Sequence, residues 1–75
     1  MDETEIRMHL RAGEAAGIER TCGTKTDFKS EETATKVAPK VSAKFGHDME
    51  AYPCAFCSGW HVGRTMTVEE RATWT

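Results

Sequence analysis

Two cysteines and a histidine lie close together in the stretch YPCAFCSGWHVGR, residues 52–64. Cys54 and Cys57 are separated by two residues, a spacing that lets both sulfur atoms approach one metal ion. His61 follows after three further residues and adds an imidazole nitrogen, so all three side chains are zinc ligands by type. A structural zinc site is tetrahedral and needs four protein ligands. The stretch therefore predicts a metal site whose fourth ligand comes from elsewhere in the chain.

Cys22 is the remaining cysteine and the best candidate for that ligand. Residues 21–29 alternate in a way that predicts a strand, and its inner face carries Cys22, Thr24, Thr26 and Phe28. A second short strand is predicted at residues 49–54, with Tyr52 and Cys54 on one side. If the two strands pair, Cys22 lies beside Cys54. The sequence thus predicts a closed, structural Cys3His zinc site formed by Cys22, Cys54, Cys57 and His61.

Three other interpretations of the Cys-x-x-Cys motif stay open. The two cysteines could be core thiols that bind nothing. A thioredoxin-like redox pair needs the motif at the start of a helix in a β-α-β unit, whereas Gly59 and Trp60 indicate a turn. An iron–sulfur cluster usually has four cysteine ligands. His47 is a rival ligand, although its position directly after Gly46 predicts a solvated loop.

The length and composition predict one small domain in a reducing compartment. A chain of 75 residues buries a small core and often depends on a metal or on disulfides. Three cysteines are an odd number, which argues against a disulfide scaffold. The N-terminal stretch MDETEIRMHL is acidic, unlike a signal peptide, and no apolar run is long enough to span a bilayer. We therefore expect a cytoplasmic protein whose cysteines bind a metal.

An N-terminal helix is predicted over residues 3–17. One face of it carries Ile6, Leu10, Gly13 and Gly17. Each glycine costs up to about 1 kcal/mol relative to alanine inside a helix. This helix is expected to be weak alone and to need a surface on this chain or on another. His9 lies on it among acidic residues and is expected to be solvated.

A second helix is predicted between Ser30, an N-cap residue, and Gly46, a C-cap residue. Its apolar stripe consists of Ala34, Val37, Ala38, Val41 and Phe45. Pro39 lacks a backbone N–H and is expected to kink or split the helix. A short C-terminal helix is predicted to begin after Thr67, which matches a capping box with Glu70.

Together these elements predict an α+β fold, a small zinc-finger domain with a two-stranded sheet, one packed helix, and further helices at the N- and C-terminal ends. The whole chain, 1–75, is expected to be a single domain. Within it we expect an N-terminal amphipathic helix at 1–19, a zinc-binding core at 20–64, and a short helix or tail at 65–75.

Charge and apolar residues suggest where partners bind. The net charge is −2, but residues 20–44 carry six basic and three acidic side chains. Candidate nucleic-acid contacts are Lys25, Lys29, Lys36, Lys40 and Lys44. The last three recur every four residues along one helix face, and the ordinary solvated face of an amphipathic helix explains them better. Candidate contacts to a protein partner are Ile6, Leu10 and Trp60, although Trp60 also fits a cover that shields the metal from solvent.

The order aromatic, Cys-x-x-Cys, Trp-His-x-Gly resembles the C-terminal signature of small zinc-finger-like proteins of actinobacteria and their bacteriophages. It is carried here by Tyr52, Cys54, Cys57, Trp60, His61 and Gly63. In that group an upstream cysteine and a Ser-initiated, Ala-rich helix commonly precede the signature, as Cys22 and the helix after Ser30 do here. The resemblance covers about residues 21–64. This chain departs from it in being mildly acidic and in having Pro39 inside the helix.

No other arrangement of catalytic residues is visible, so the sequence predicts that the protein is not an enzyme and has no small-molecule substrate. Two kinds of function fit. The first is a protein-interaction module, such as a phage-encoded modulator of a host factor in the host cytoplasm or a homo-oligomer. The second is a nucleic-acid-binding zinc finger that uses the basic face of residues 25–44. Neither involves a membrane.

Overall fold

The computed structural model describes residues 1–23 and 25–75 and confirms the predicted α+β class. Three α-helices surround a two-stranded antiparallel sheet. The elements in chain order are α1 (Glu3–Ala16), a π-helical turn (Glu19–Gly23), α2 (Glu31–Phe45), β1 (Met49–Pro53), β2 (Trp60–Arg64) and α3 (Val68–Trp74).

The helices begin and end where the capping residues predict. The Ser30 hydroxyl accepts a hydrogen bond from the backbone N–H of Thr33 and so begins α2. Gly46 ends α2 in the left-handed conformation with φ of 75°, which glycine adopts without steric cost. Before α3, Thr67 and Glu70 form both hydrogen bonds of a capping box. Local side-chain chemistry therefore sets these helix boundaries.

Pro39 does not split α2, contrary to the expectation from its missing N–H. The helix runs without interruption from Glu31 to Phe45. Both Pro39 and Thr35, whose carbonyl loses its helical partner, lie on the exposed side. Water can therefore hydrate that carbonyl, so the lost bond leaves no buried unsatisfied group.

The strand predicted at 21–29 is wrong. Residues 19–23 form a π-helical turn instead, and Thr24 lies outside the described residues. Among the described residues of this segment, Phe28 alone pairs as in a strand, through an isolated antiparallel bridge to Trp60 with N–O distances of 2.8 and 2.7 Å. The predicted strand at 49–54 is observed as β1, but its partner is β2, a strand that the sequence analysis does not predict.

The register of the sheet gives it two distinct faces. Tyr52 pairs with His61 and Ala51 pairs with Val62, so alternation places the two pairs on opposite faces. On the Tyr52 face, the ring of His9 in α1 stacks on the Tyr52 ring with centroids 6.1 Å apart. Helix α2 packs across both strands and buries small side chains, Ala34 and Ala38. Their size lets α2 approach the sheet closely.

Helix α1 belongs to the core through residues that the apolar pattern did not select. Met8 and His9 are 1% and 4% exposed, whereas Ile6 and Leu10 are half-buried. The expectation that His9 is solvated is therefore wrong. The pKa of His9 is lowered, mainly because burial disfavours the charged ring and also because Arg71 is near. The carboxylates of Glu50 and Glu5 offset part of this decrease.

The stability of the protein is expected to fall as the pH drops below about 6.5, the ordinary pKa of histidine. Below this pH, His9 binds a proton more readily in the unfolded chain than in the folded protein, because folding lowers its pKa. Acidification therefore stabilises the unfolded state by up to about 1.4 kcal/mol per pH unit. Urea denaturation of the protein and of His9→Gln, at several pH values, measures this effect. The variant should lose stability less steeply on acidification, while an equal slope in both proteins would show that His9 does not contribute.

The turn that carries Cys22 is held against α1 and the sheet. The Thr21 hydroxyl donates to the carbonyl of Gly13 at 3.1 Å, and the Tyr52 hydroxyl donates to the carbonyl of Thr21 at 2.6 Å. A side chain at Gly13 would put its Cβ 3.2 Å from Thr21 Cγ2 and 3.8 Å from Ala55 Cβ. The absence of a side chain at Gly13 thus lets α1, the turn and the cysteine loop meet.

Among the described residues, none of the helices combines the length and the apolar composition that crossing a membrane requires.

Candidate metal centre

The four predicted ligands come together at one point. The ligand atoms of Cys22, Cys54, Cys57 and His61 all lie within 4.8 Å of one another. Cys22 comes from the π-helical turn, Cys54 and Cys57 from the loop between β1 and β2, and His61 from β2. Three sulfurs and one nitrogen this close together can hold a metal ion with four protein ligands.

His61 is oriented by a backbone carbonyl. Its side chain is fully buried, and Nδ1 lies 2.7 Å from the carbonyl oxygen of Thr26. Since that oxygen can only accept, Nδ1 carries the proton, and Nε2 of the neutral ring keeps its lone pair. Nε2 points toward the cysteines and lies 3.4 Å from Cys57 Sγ. Thr26 therefore fixes both the orientation and the tautomer that a metal ligand needs.

Cys54 is set up to be a thiolate. Burial opposes its ionisation. Hydrogen bonds from the backbone N–H groups of Phe56 and Cys57 outweigh this effect, together with those from the Cys57 and Cys22 thiols. The pKa of Cys54 is therefore lowered to about 7. The Phe56 nitrogen lies 3.3 Å from the sulfur. Backbone donors that point at a sulfur stabilise its negative charge, with or without a metal.

Cys22 keeps its proton in the absence of a cation. Its hydrogen bond to Cys57, together with partial burial and its contact with Cys54, raises its pKa to about 12. Thiolates packed this closely repel one another, so the group cannot ionise fully by itself. A divalent cation removes this repulsion and deprotonates the coordinating thiols. The arrangement of sulfurs is therefore favourable for a bound metal and unfavourable without one.

The loop between the strands is shaped around Gly59. Its carbonyl accepts a hydrogen bond from the backbone N–H of Cys54 at 2.9 Å. A Cβ at this position would overlap Asp27 Oδ1 and lie 3.0 Å from the Phe28 carbonyl oxygen. Because no side chain fits there, Gly59 lets the segment around Phe28 approach the loop and brings the Thr26 carbonyl within reach of His61.

Replacing Ser58 by glycine is expected to stabilise the protein by about 1 kcal/mol, because Ser58 has a positive φ of 62°. This conformation is strained for residues with a Cβ and free of that strain for glycine. Chemical denaturation of the zinc-loaded variant measures the gain. Ser30→Gly is the matched control, because Ser30 has a φ of −143° and caps α2. That variant should gain nothing, and a loss of stability in Ser58→Gly would contradict the prediction.

Other residues named from the sequence lie outside the metal centre. His47 is exposed next to the Phe45 ring and is not among the grouped ligands. Trp60 is half-buried at the start of β2, where it pairs with Phe28. Exposed lysines are Lys29, Lys36, Lys40 and Lys44, whereas Lys25 is half-buried in a cleft beside Gly63.

The sequence does not indicate how two residues, Thr26 and Tyr52, support the site. Thr26 acts through its backbone carbonyl, for which its side chain gives no signal. The Tyr52 ring lies between the His9 and His61 rings, with centroids 6.1 and 5.9 Å away. Its hydroxyl donates a hydrogen bond to the Thr21 carbonyl in the turn that carries Cys22. Its aromatic character could have suggested this packing role.

Comparison with known proteins adds no relative: no protein-family model, curated protein or solved structure matches the chain.

Proposed function

We propose that the protein binds one zinc ion through Cys22, Cys54, Cys57 and His61, and that the folded domain acts by binding another protein. The observation that carries the metal proposal is the approach of these four ligand atoms to within 4.8 Å of one another. Three sulfurs and one nitrogen form a donor set common in tetrahedral zinc sites.

The zinc has a structural role in this proposal. Four protein ligands fill a tetrahedral coordination sphere and leave no position for water or substrate, so the site is not expected to catalyse a reaction. It joins the π-helical turn to the β1–β2 loop and β2, which lie about 30 residues further along the chain. A chain of 75 residues gains much of its stability from such a connection.

Elemental analysis of the purified protein tests the metal proposal. We expect one zinc per chain, with release of protons on binding because the thiols deprotonate. Iron together with visible absorption from thiolate-to-iron charge transfer would contradict zinc. A metal-free protein whose melting is cooperative and unchanged by added zinc would contradict any structural metal.

Exposed apolar side chains close in sequence to the metal ligands support an interaction with another protein. Ile18, directly before the π-helical turn, is 55% exposed, and Phe56, between Cys54 and Cys57, is 42% exposed. Both lie on segments that the metal holds in place, so zinc binding would also order the contact surface. The resemblance to phage and actinobacterial zinc-finger-like proteins adds the proposal that the partner is a host factor in the cytoplasm.

The double variant Ile18→Ser/Phe56→Ser tests this surface. Sedimentation should show weaker self-association, or immobilised protein should retain less of a host partner, while zinc content stays unchanged. Phe45→Ser is the matched control, since Phe45 is 58% exposed at the end of α2 but lies outside the metal-binding loops. Unchanged association in the double variant would contradict a role for this surface.

The alternative is a nucleic-acid-binding zinc finger, and one observation favours it. Lys36, Lys40 and Lys44 are exposed along α2, although Lys36 pairs with Glu32 at 3.2 Å. Under this alternative, affinity for duplex DNA falls steeply with salt, with roughly one unit of log–log slope per phosphate contact. Lys40→Gln should then reduce that slope. Binding that is weak and insensitive to this substitution would leave the protein-interaction proposal standing.

A further inference from the structure

A cleft of about 460 Å³ lies between α1, α3 and the sheet. Its walls include small side chains of α1, Ala12, Ala15 and Ala16, and the indole of Trp74 from α3. Tyr52 and Gly63 of the sheet line it as well. The volume lies within the range of small-molecule sites, and the lining combines apolar and aromatic residues with charged ones.

A buried polar atom at this cleft lacks a partner. His9, which lines the cleft, is 4% exposed, and among the described residues its Nε2 has no hydrogen-bond partner. Glu50 Oε1 is 3.8 Å away, which is beyond hydrogen-bond range. A buried polar atom left unpaired is destabilising unless water or a ligand supplies the missing bond. The cleft is the place from which such a group can come.

The charges around the cleft favour an anion. Arg20 and Lys25 line it, and within the described part of the chain neither forms an ion pair with a carboxylate. The acidic side chains of the cleft are already engaged. Glu70 accepts hydrogen bonds from the Thr67 backbone and from Arg64, at 2.9 and 3.5 Å.

Glu50 is engaged in the same way as Glu70. It accepts from the Met66 backbone N–H at 3.0 Å and lies 3.8 Å from Arg71. The charges left without a partner at this cleft are therefore positive, and a ligand that carries negative charge can pair with them.

We propose that this cleft binds a small organic anion, made of a phosphate or carboxylate head and a flat apolar body. The head pairs with Arg20 and Lys25, since guanidinium and ammonium groups both bind such oxyanions. The flat body lies against the alanines of α1 and the Trp74 indole, where apolar surface is removed from water. The ligand is bound and not transformed, because the cleft residues include no nucleophile paired with a base.

NMR titration of the full-length, zinc-loaded protein tests the proposal, with phenyl phosphate and benzoate as probes. At least one probe should shift the signals of His9 and Lys25, saturably and at one site, and whichever binds identifies the head group. Inorganic phosphate and phenol, which each lack one half of the proposed ligand, should bind at least about tenfold more weakly. No shift with either probe, or equal affinity for inorganic phosphate, overturns the proposal.

Lys25→Gln should weaken the binding of the effective probe about tenfold, the expected loss when one hydrogen bond to a charged group is removed. Lys40→Gln is the control, because it removes the same charge from the exposed surface of α2 and should leave affinity unchanged. Ala15→Met fills the cleft from an exposed position and should block binding while the protein keeps its zinc. Equal loss in Lys25→Gln and Lys40→Gln would reveal non-specific charge attraction and overturn the site.

Discussion

Cys22→Ser is expected to lose zinc as completely as Cys54→Ser, although 31 residues lie between the two cysteines. Both sulfurs belong to the same group of ligand atoms within 4.8 Å, so removing either one leaves three ligands. Loss of a residue that merely orients a ligand costs roughly 10- to 100-fold in metal affinity. We expect the loss of a ligand to cost more than about 100-fold.

The same substitutions should unfold the protein under conditions in which the wild type is folded. Structural zinc contributes apparent binding free energies of about 10–16 kcal/mol in zinc-finger peptides. This exceeds the free energy of unfolding expected for a domain of this size. Competition with a chromophoric chelator measures affinity, and circular dichroism before and after chelation measures the loss of fold. His47→Ala is the control. If it loses zinc while Cys22→Ser retains it, the ligand assignment is wrong.

That Cys22 joins the cluster was predictable, but the element that carries it was not. Cys22 follows from counting ligands, because the motif offers three and one cysteine remains. The strand assigned to residues 21–29 rested on alternation over a few side chains, a signal that a short helical turn can also produce. Tertiary contacts explain why the segment forms a turn. The Thr21 side chain packs on Gly13, and the Thr21 carbonyl accepts a hydrogen bond from the Tyr52 hydroxyl; both contacts require the turn.

Features that depend on backbone atoms, or on packing between residues distant in the chain, could not be predicted from the sequence. The carbonyl of Thr26 selects the tautomer of His61, yet any residue at that position has a carbonyl. β2 was missed because its alternation of Trp60 and Val62 is short and overlaps the metal motif. The helix boundaries, in contrast, were predictable, since Ser30, Gly46 and Thr67 act on the backbone next to them.

The burial of His9 shows why the N-terminal helix was misjudged. Counting apolar residues selects Ile6 and Leu10, but the face that reaches the sheet carries Met8 and His9. Such a count treats histidine as polar, although its ring can stack on an aromatic residue, as His9 does on Tyr52. The helix therefore contributes to the core of the domain more than its apolar pattern suggests.

Deletion of residues 1–19 is accordingly expected to destabilise the zinc-loaded domain by more than about 3 kcal/mol, because truncating a buried methionine alone typically costs 2–5 kcal/mol. The deletion removes Met8 and His9 from the core and exposes the Tyr52 ring. It also removes the Gly13 carbonyl that accepts the Thr21 hydroxyl beside Cys22. Zinc affinity should fall as a result, because the turn that positions Cys22 loses its support.

Deletion of residues 68–75 is the matched control. Helix α3 has no buried residue, and its ion pairs join Arg71 to Glu5 and Glu50, at 3.7 and 3.8 Å, and Glu70 to Arg64, at 3.5 Å. Exposed ion pairs contribute about 1 kcal/mol or less, so this truncation should cost much less than removal of α1. Urea denaturation and zinc competition on both truncated proteins make the comparison. If the protein without residues 1–19 keeps its stability and its zinc but loses a partner, α1 is an interaction helix attached to an independent zinc domain.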